Sequence, residues 1–214
     1  MDMLLFRKRP VLGILRGAGY RHIGPLIETV IENGLKALEI TMNTEDEPRL
    51  IQKAKRASRG RLFLGAGTVL TMKDLKGALK SGATFIVMPV LIEEIVSFCV
   101  KEGVPVFPGA LTPQEIYRAW DSGATMVKVF PVKLFGPQYI KEIKAPLNNV
   151  EILACSGVTP RNLKDYFLSG ASAVSFGSSV FSKELLDRQD YDAVGLKVKE
   201  FMDCLPEGRT DELR

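Results

Sequence analysis

Two residues of opposite charge stand where a strand pattern leaves little room for charge. Lys128 lies in "SGATMVKVFP" (122–131), among Val127, Val129 and Phe130, and Glu39 lies in "KALEIT" (36–41), between Leu38 and Ile40. A buried, unpaired charge is costly enough that the group usually sheds or takes a proton. Such a lysine either snorkels to water or supplies an amine to a reaction. Successive strand residues alternate between two faces. With Val127 and Val129 on one face, Met126, Lys128 and Phe130 share the other. With Leu38 and Ile40 outward, Ala37, Glu39 and Thr41 face inward. An amine and a carboxylate at matching depth on two strands can serve catalysis. A structural ion pair is the alternative, although apolar replacements often serve stability as well.

A free lysine, pKa about 10.4, is neutral in about one molecule in 2,500 at pH 7. Lowering it to about 7.5 makes about a quarter of the sites nucleophilic, a shift worth about 4 kcal/mol. Apolar walls, here Met88, Val127, Val129 and Phe130, are expected to do this.

Three glycine-rich stretches follow strand-like runs: "GAGTV" (65–69), "CSGVTP" (155–160) and "FGSS" (176–179). Glycine lets backbone N–H groups approach a ligand, and Ser or Thr adds a hydroxyl. The last two occupy the usual phosphate position if the chain is a barrel. Ser156, Gly157, Gly177 and Ser178 are then candidate anion ligands. Arg16, after the first strand, either closes that site or stays on the rim.

The elements that must position these groups are legible as a repeat. The steps "ENGLKALEIT", "KSGATFIVMP", "KEGVPVFPG", "DSGATMVKVFP" and "LSGASAVSFG" each end a helical pattern at glycine and begin an apolar run. Runs this apolar suit parallel strands covered on both faces. Eight are found: 10–16, 36–41, 62–67, 84–89, 104–109, 125–130, 151–155 and 172–177. Helical patterns cover about 22–33, 46–57, 71–81, 91–102, 112–121, 136–144, 160–169 and 190–203. Eight βα units predict a single (β/α)8 TIM barrel over 1–205 with a loose tail over 206–214. An open doubly wound sheet is the rival; the strand count and the lack of a GxGxxG turn after the first strand weigh against it.

Composition narrows the function class. With 46% hydrophobic and 25% charged residues the chain reads as a soluble globular protein. Cys99, Cys155 and Cys204 are too few and too far apart for a disulfide framework or a metal motif, so a reducing, cytoplasmic setting is expected. The single histidine, His22, cannot build a His-based metal cluster, and no metal or cofactor is expected. The net charge is +4, and its densest basic run, "KAKRASRGR" (53–61), lacks interleaved aromatics. It reads as the last turn of a helix rather than a nucleic-acid patch. No apolar run is long enough for a bilayer, and "MDMLLFRKRP" has its charges in the wrong order for a signal peptide.

The ordered series "ILRG", "GLKALEITMNT", "GAGTVLT", "SGATFIVMP", "FPGALTPQE", "VKVFP", "FGPQYIKEIKAPL" and "SGV" resembles the class I aldolases that cleave 2-keto-3-deoxy-6-phosphogluconate (KDPG) and 4-hydroxy-2-oxoglutarate (KHG). The resemblance spans nearly the whole chain. It implies Lys128 as the Schiff-base lysine and Glu39 as the acid/base. It places Thr68 at the keto-acid carboxylate, Pro89 and Phe130 along the pocket, and Cys155, Ser156, Gly157, Gly177 and Ser178 toward the phosphate. It further implies a homotrimer that needs no metal, with a small keto acid as its partner. The chain departs from the family at Asn43, where some members have Arg, and at Cys155 and Ser156 in place of Thr and Gly. Met88 precedes Pro89 where Ser is usual, Lys133 replaces an acid, and Phe176 replaces a smaller residue. These changes surround the substrate, so Phe176 is expected to reshape the phosphate end. Another barrel enzyme for phosphorylated metabolites, or a sugar-acid-phosphate binding protein without turnover, are the remaining readings.

Overall fold

The computed structural model describes residues 1–44 and 46–206, so residues 207–214 of the expected tail lie outside it. Helix α1 (Met3–Lys8) comes first, its start capped by the Asp2 carboxylate. Then follow β1 (Val11–Leu15), α2 (Tyr20–Glu32), β2 (Ala37–Thr41), α3 (Glu47–Ser58), β3 (Phe63–Gly67), α4 (Met72–Ser81) and β4 (Ile86–Val87). The chain continues through α5 (Glu93–Lys101), β5 (Val106–Phe107), β6 (Gly109–Ala110), α6 (Pro113–Asp121) and β7 (Val127–Val129). A 3-10 turn (Val132–Leu134) precedes α7 (Pro137–Lys144), β8 (Ile152–Cys155), α8 (Leu163–Leu168) and β9 (Ala173–Phe176). Two helices close the described chain, α9 (Lys183–Asp187) and α10 (Tyr191–Asp203).

The recurring glycines do what their positions predict. Gly34, Gly82, Gly103, Gly123 and Gly170 all have positive φ. At each, the glycine amide bonds back three residues and the next amide bonds back five, as in Gly34 to Ile31 and Leu35 to Val30. This double bond pattern satisfies the last helical carbonyls and turns the chain into the following strand. The basic run ends α3 as expected, with Arg59 and Gly60 in the left-handed region. Helices α1 and α9 and the 3-10 turn carry no strong periodicity and were not expected from sequence.

All neighbouring strands are parallel, in the order β5-β4-β3-β2-β1-β9-β8-β7-β6. The two ends of that order are consecutive in the chain. The run expected as one strand over 104–109 is split at Pro108, which has no N–H to continue a ladder. Thr125 N–H donates to the Val106 carbonyl and Lys128 N–H to the Pro108 carbonyl, both at 2.9 Å, and so close the ring. The fold is a (β/α)8 TIM barrel with nine strand segments forming its staves.

Phase divides the core in two. Leu38, Ile40, Val127, Val129, Ile152, Ala154 and Val174 pack between strands and helices. Leu12, Ala37, Phe85, Val87, Phe107, Met126, Leu153 and Ala173 fill the barrel axis, with Phe6 of α1 packed among them at one end. The inward phase predicted for Met126 and Ala37 is the one observed. Further along the same inward rows, toward the C-terminal strand ends, apolar side chains give way to Glu39, Lys128, Cys155 and Ser175.

Candidate active site

Lys128 and Glu39 meet inside the barrel. Nζ lies 3.9 Å from Oε1, and the residues are 7% and 1% exposed. Neither carboxylate oxygen has a hydrogen-bond partner. Strand β3 makes room for this carboxylate by having glycine beside it. A Cβ on Gly67 would stand 2.3 Å from Glu39 Oε1 and 2.6 Å from its Cδ. Gly65, one inward step below, makes room for the Phe85 ring in the same way.

Burial raises the Glu39 carboxyl above its ordinary range, and the opposing pull of Lys128 and Arg16 does not cancel this. For Lys128, burial is the largest influence and pushes downward; Glu39 and then Cys155 push upward, and the net direction is up. This corrects the expectation that apolar walls alone depress the amine. Both groups are thus held toward their protonated forms, and at this separation they titrate as a coupled pair. Burial likewise pushes the Cys155 thiol up, so it stays a neutral wall beside the amine.

Above the pair, a cavity of about 310 Å³ is lined by Ile14, Arg16, Phe130, Cys155, Ser156, Gly157, Ser175, Gly177 and Ser178, among others. The structure thus brings seven of the sequence-selected residues to one cavity. The Phe130 ring centroid stands 5.6 Å from Lys128 Nζ, at the mouth. Ser156 and Gly157 are both left-handed, at φ 83° and 77°. That conformation is strained for a serine, and strain of this kind concentrates at ligand-binding turns. The turn is held by Asn162, whose side chain donates to the Gly157 carbonyl (3.0 Å) and accepts from Thr159 N–H (2.7 Å). A side chain at position 157 would meet Lys133 Cβ at 2.4 Å.

Thr68 and Pro89 lie at other points of the mouth. Thr68 is the second strained non-glycine residue there (φ 58°), and its hydroxyl accepts from Arg16 Nη2 at 3.5 Å. Arg16 therefore stands between Thr68 and the glycine loops rather than serving those loops alone. Pro89 lines a separate depression of about 530 Å³ that shares Phe130. Asn43 is exposed. Phe176 corrects another expectation: its ring points into the helix layer, 5.7 Å from Phe181 and 4.6 Å from Phe201. Its backbone borders the cavity, but the ring does not fill it.

Sequence reasoning missed Ser175, Asn162 and the Thr41–Thr44 pair. Ser175 was available from alternation, two residues beyond inward Ala173 and in register with Cys155. Thr41 and Thr44 hydroxyls meet at 3.1 Å, and Gly17 N–H donates to Thr44 Oγ1 at 3.1 Å, tying the Arg16 loop to β2. No local pattern marks that bond between two loops. Among the described residues, no three His, Cys, Asp or Glu side chains are grouped as a metal site. No described helix is long and apolar enough to cross a membrane.

The sequence model of the family described as KDPG and KHG aldolase matches residues 3–197. The 2-dehydro-3-deoxy-phosphogluconate aldolase of Haemophilus influenzae is 35% identical over 186 residues, covering 85% of each chain. The 2-dehydro-3-deoxy-6-phosphogalactonate aldolase of Escherichia coli K12 is 34% identical over 179 residues, 81% of this chain and 85% of the relative. A solved structure described as native KDPGal superimposes with a TM-score of 0.85 at 31% identity, covering 91% of this chain and 93% of that one. With the whole barrel matched and the paired amine and carboxylate inside it, the chain belongs to the KDPG and KHG aldolase family.

Proposed function

We propose that this aldolase is a metal-independent class I enzyme cleaving a 2-keto-4-hydroxy acid, 2-keto-3-deoxy-6-phosphogluconate, to pyruvate and glyceraldehyde 3-phosphate. The observation that carries the reading is the Lys128–Glu39 pair. An amine faces a carboxylate lacking any hydrogen-bond partner, at 3.9 Å, against Cys155 in the wall of a cavity lined by glycine and serine residues. A purely structural ion pair would have its remaining oxygens satisfied.

In this reading Glu39 accepts a proton from Lys128 as substrate enters, leaving a neutral amine. Nζ attacks the C2 carbonyl, and loss of water gives an iminium. Glu39 delivers its acquired proton to the carbinolamine hydroxyl as that group departs as water, and the carboxylate so regenerated takes the C4 hydroxyl proton. The C3–C4 bond breaks with its electrons flowing to the iminium nitrogen, releasing the aldehyde and leaving an enamine. Proton return to C3 and hydrolysis release pyruvate. Thr68 holds the keto-acid carboxylate and Phe130 walls the mouth. Ser156, Gly157, Gly177 and Ser178 receive the phosphate, with Arg16 between the two ends.

Relatives of nearly equal identity carry gluconate and galactonate names, so the C4 epimer is read by assaying both 6-phosphates. Borohydride with pyruvate is expected to place a pyruvyl-derived mass on Lys128; an adduct on another lysine overturns the mechanism. The phosphorylated substrate is expected to exceed its unphosphorylated analogue in kcat/KM by about 10–150-fold, the worth of one charge-assisted contact. Equal rates would make unphosphorylated keto acids the substrates. The reading includes a homotrimer in the cytoplasm. Exposed Val90, Phe130, Leu134 and Phe135 support burial of that side in an oligomer, and molar mass in solution tests it.

A further inference from the structure

Beside the substrate cavity lies a larger one, about 830 Å³, which shares Ile14, Arg16 and Ser178 with it. Its charge is one-sided. Arg16, Arg21 and Lys183 line it against a single carboxylate, Asp187. Neither Arg21 nor Lys183 forms an ion pair among the described residues.

Arg21 is held in place by a buried group. Its Nε donates to His22 Nε2 at 3.1 Å, and His22 is 4% exposed. An imidazole nitrogen that accepts leaves the other to carry the proton. Nδ1–H therefore donates to Tyr191 Oη, at 3.0 Å. The chain Tyr191–His22–Arg21 runs from α10 through α2 and fixes the guanidinium by its Nε alone. Both terminal nitrogens stay available at the cavity, and they present the forked donors that suit phosphate oxygens. Arg21 is itself exposed, and what distinguishes it is an orientation fixed by a buried imidazole and the lack of a carboxylate partner among the described residues.

We infer that this second cavity is an oxyanion site for a small phosphate-bearing ligand, gripped by Arg21 and Lys183, whose occupancy competes with the substrate's phosphate for Arg16 and Ser178. The binding stands on the cavity and its cations; the competition rests on the function proposed above. The consequence is inhibition by free phosphate or by phosphorylated metabolites, acting through residues outside the catalytic pair.

The test is inhibition of KDPG cleavage by inorganic phosphate at constant ionic strength, in wild type, Arg21→Met, Lys183→Met and the double variant. In phosphate-free buffer all four are expected to match wild type in kcat and KM within about twofold. The inhibition constant for phosphate is expected to rise about tenfold or more in Arg21→Met, the loss of one charge-assisted contact, and further in the double variant. Unchanged inhibition in Lys183→Met and the double variant overturns the proposal, since the ion would then act at the substrate's own phosphate loops. Lys183 is exposed, so this arm survives even if Arg21→Met folds poorly; Arg21→Lys supplies a charge-retaining control that should keep part of the affinity. If wild type cleaves no keto acid, the proposed function fails separately. Phosphate binding to the same variants, followed by calorimetry, then still decides the site: equal affinity in wild type and double variant overturns it.

Discussion

Replacing Gly67 by alanine separates the position of the carboxylate proposed as acid/base, Glu39, from its chemistry. The added methyl would stand 2.3 Å from Glu39 Oε1, whereas ordinary contact begins at 3.4 Å. The carboxylate, at the end of a flexible side chain, must therefore retreat by about 1.1 Å. Because the moving atoms are a side-chain end, the folding cost should sit near the low end of overpacking, about 1 kcal/mol. A displacement of about 1 Å in a catalytic group costs turnover about 10²-fold. Gly65→Ala is the matched control. Its methyl meets the Phe85 ring at 2.3 Å, deep in the apolar axis, so it should cost about 1–3 kcal/mol of stability, or about 2–12 °C in Tm for a chain of this size. Its turnover per folded molecule should stay near wild type. Coupled pyruvate release gives kcat, borohydride trapping gives the adduct, and a melting scan gives Tm. For Gly67→Ala the expected pattern is a low kcat, a preserved adduct and a Tm lowered by only about 2–4 °C. Turnover within about threefold of wild type would show that the carboxylate need not stand where Gly67 allows it, and the acid/base assignment would fall.

Lys128→Ala and Lys128→Arg should both lose adduct and turnover, because a guanidinium stays protonated and forms no imine; measurable trapping in either refutes the nucleophile. Glu39→Gln should keep the adduct and lose about 10²–10⁴-fold in turnover, and near-normal activity refutes its role. The same variant has a pH signature. Burial raises the folded-state value of Glu39, so its contribution to stability is full below about pH 4.3 and is lost as pH rises through that higher value. Tm of Glu39→Gln minus Tm of wild type should therefore increase from pH 4 upward, and a flat or falling difference contradicts the burial argument. Phe176→Ala should cost about 3–5 kcal/mol while leaving the preference for phosphorylated substrate unchanged, because the ring packs on Phe181 and Phe201. A changed phosphate preference with an unchanged Tm would return that ring to the cavity.

What the sequence determined by itself was whatever follows from local periodicity and local backbone demand. The glycine after each helix announced a left-handed turn, and each of the five steps has one. Alternation along "KALEIT" and "TMVKVF" set the inward phase of Glu39 and Lys128 before any packing was known, because a strand has only two faces. The tertiary structure decided what depends on residues far apart in the chain. It set the 3.9 Å between the amine and the carboxylate and removed every other partner from that carboxylate, which reversed the expected shift of Lys128. It turned Phe176 toward α10, whose Phe201 supplies the neighbouring ring. It also tied Arg16 to Thr68 and oriented Arg21 through His22 and Tyr191. Electrostatic shifts and ring packing are sums over neighbours in space, and a local pattern holds only the neighbours in sequence.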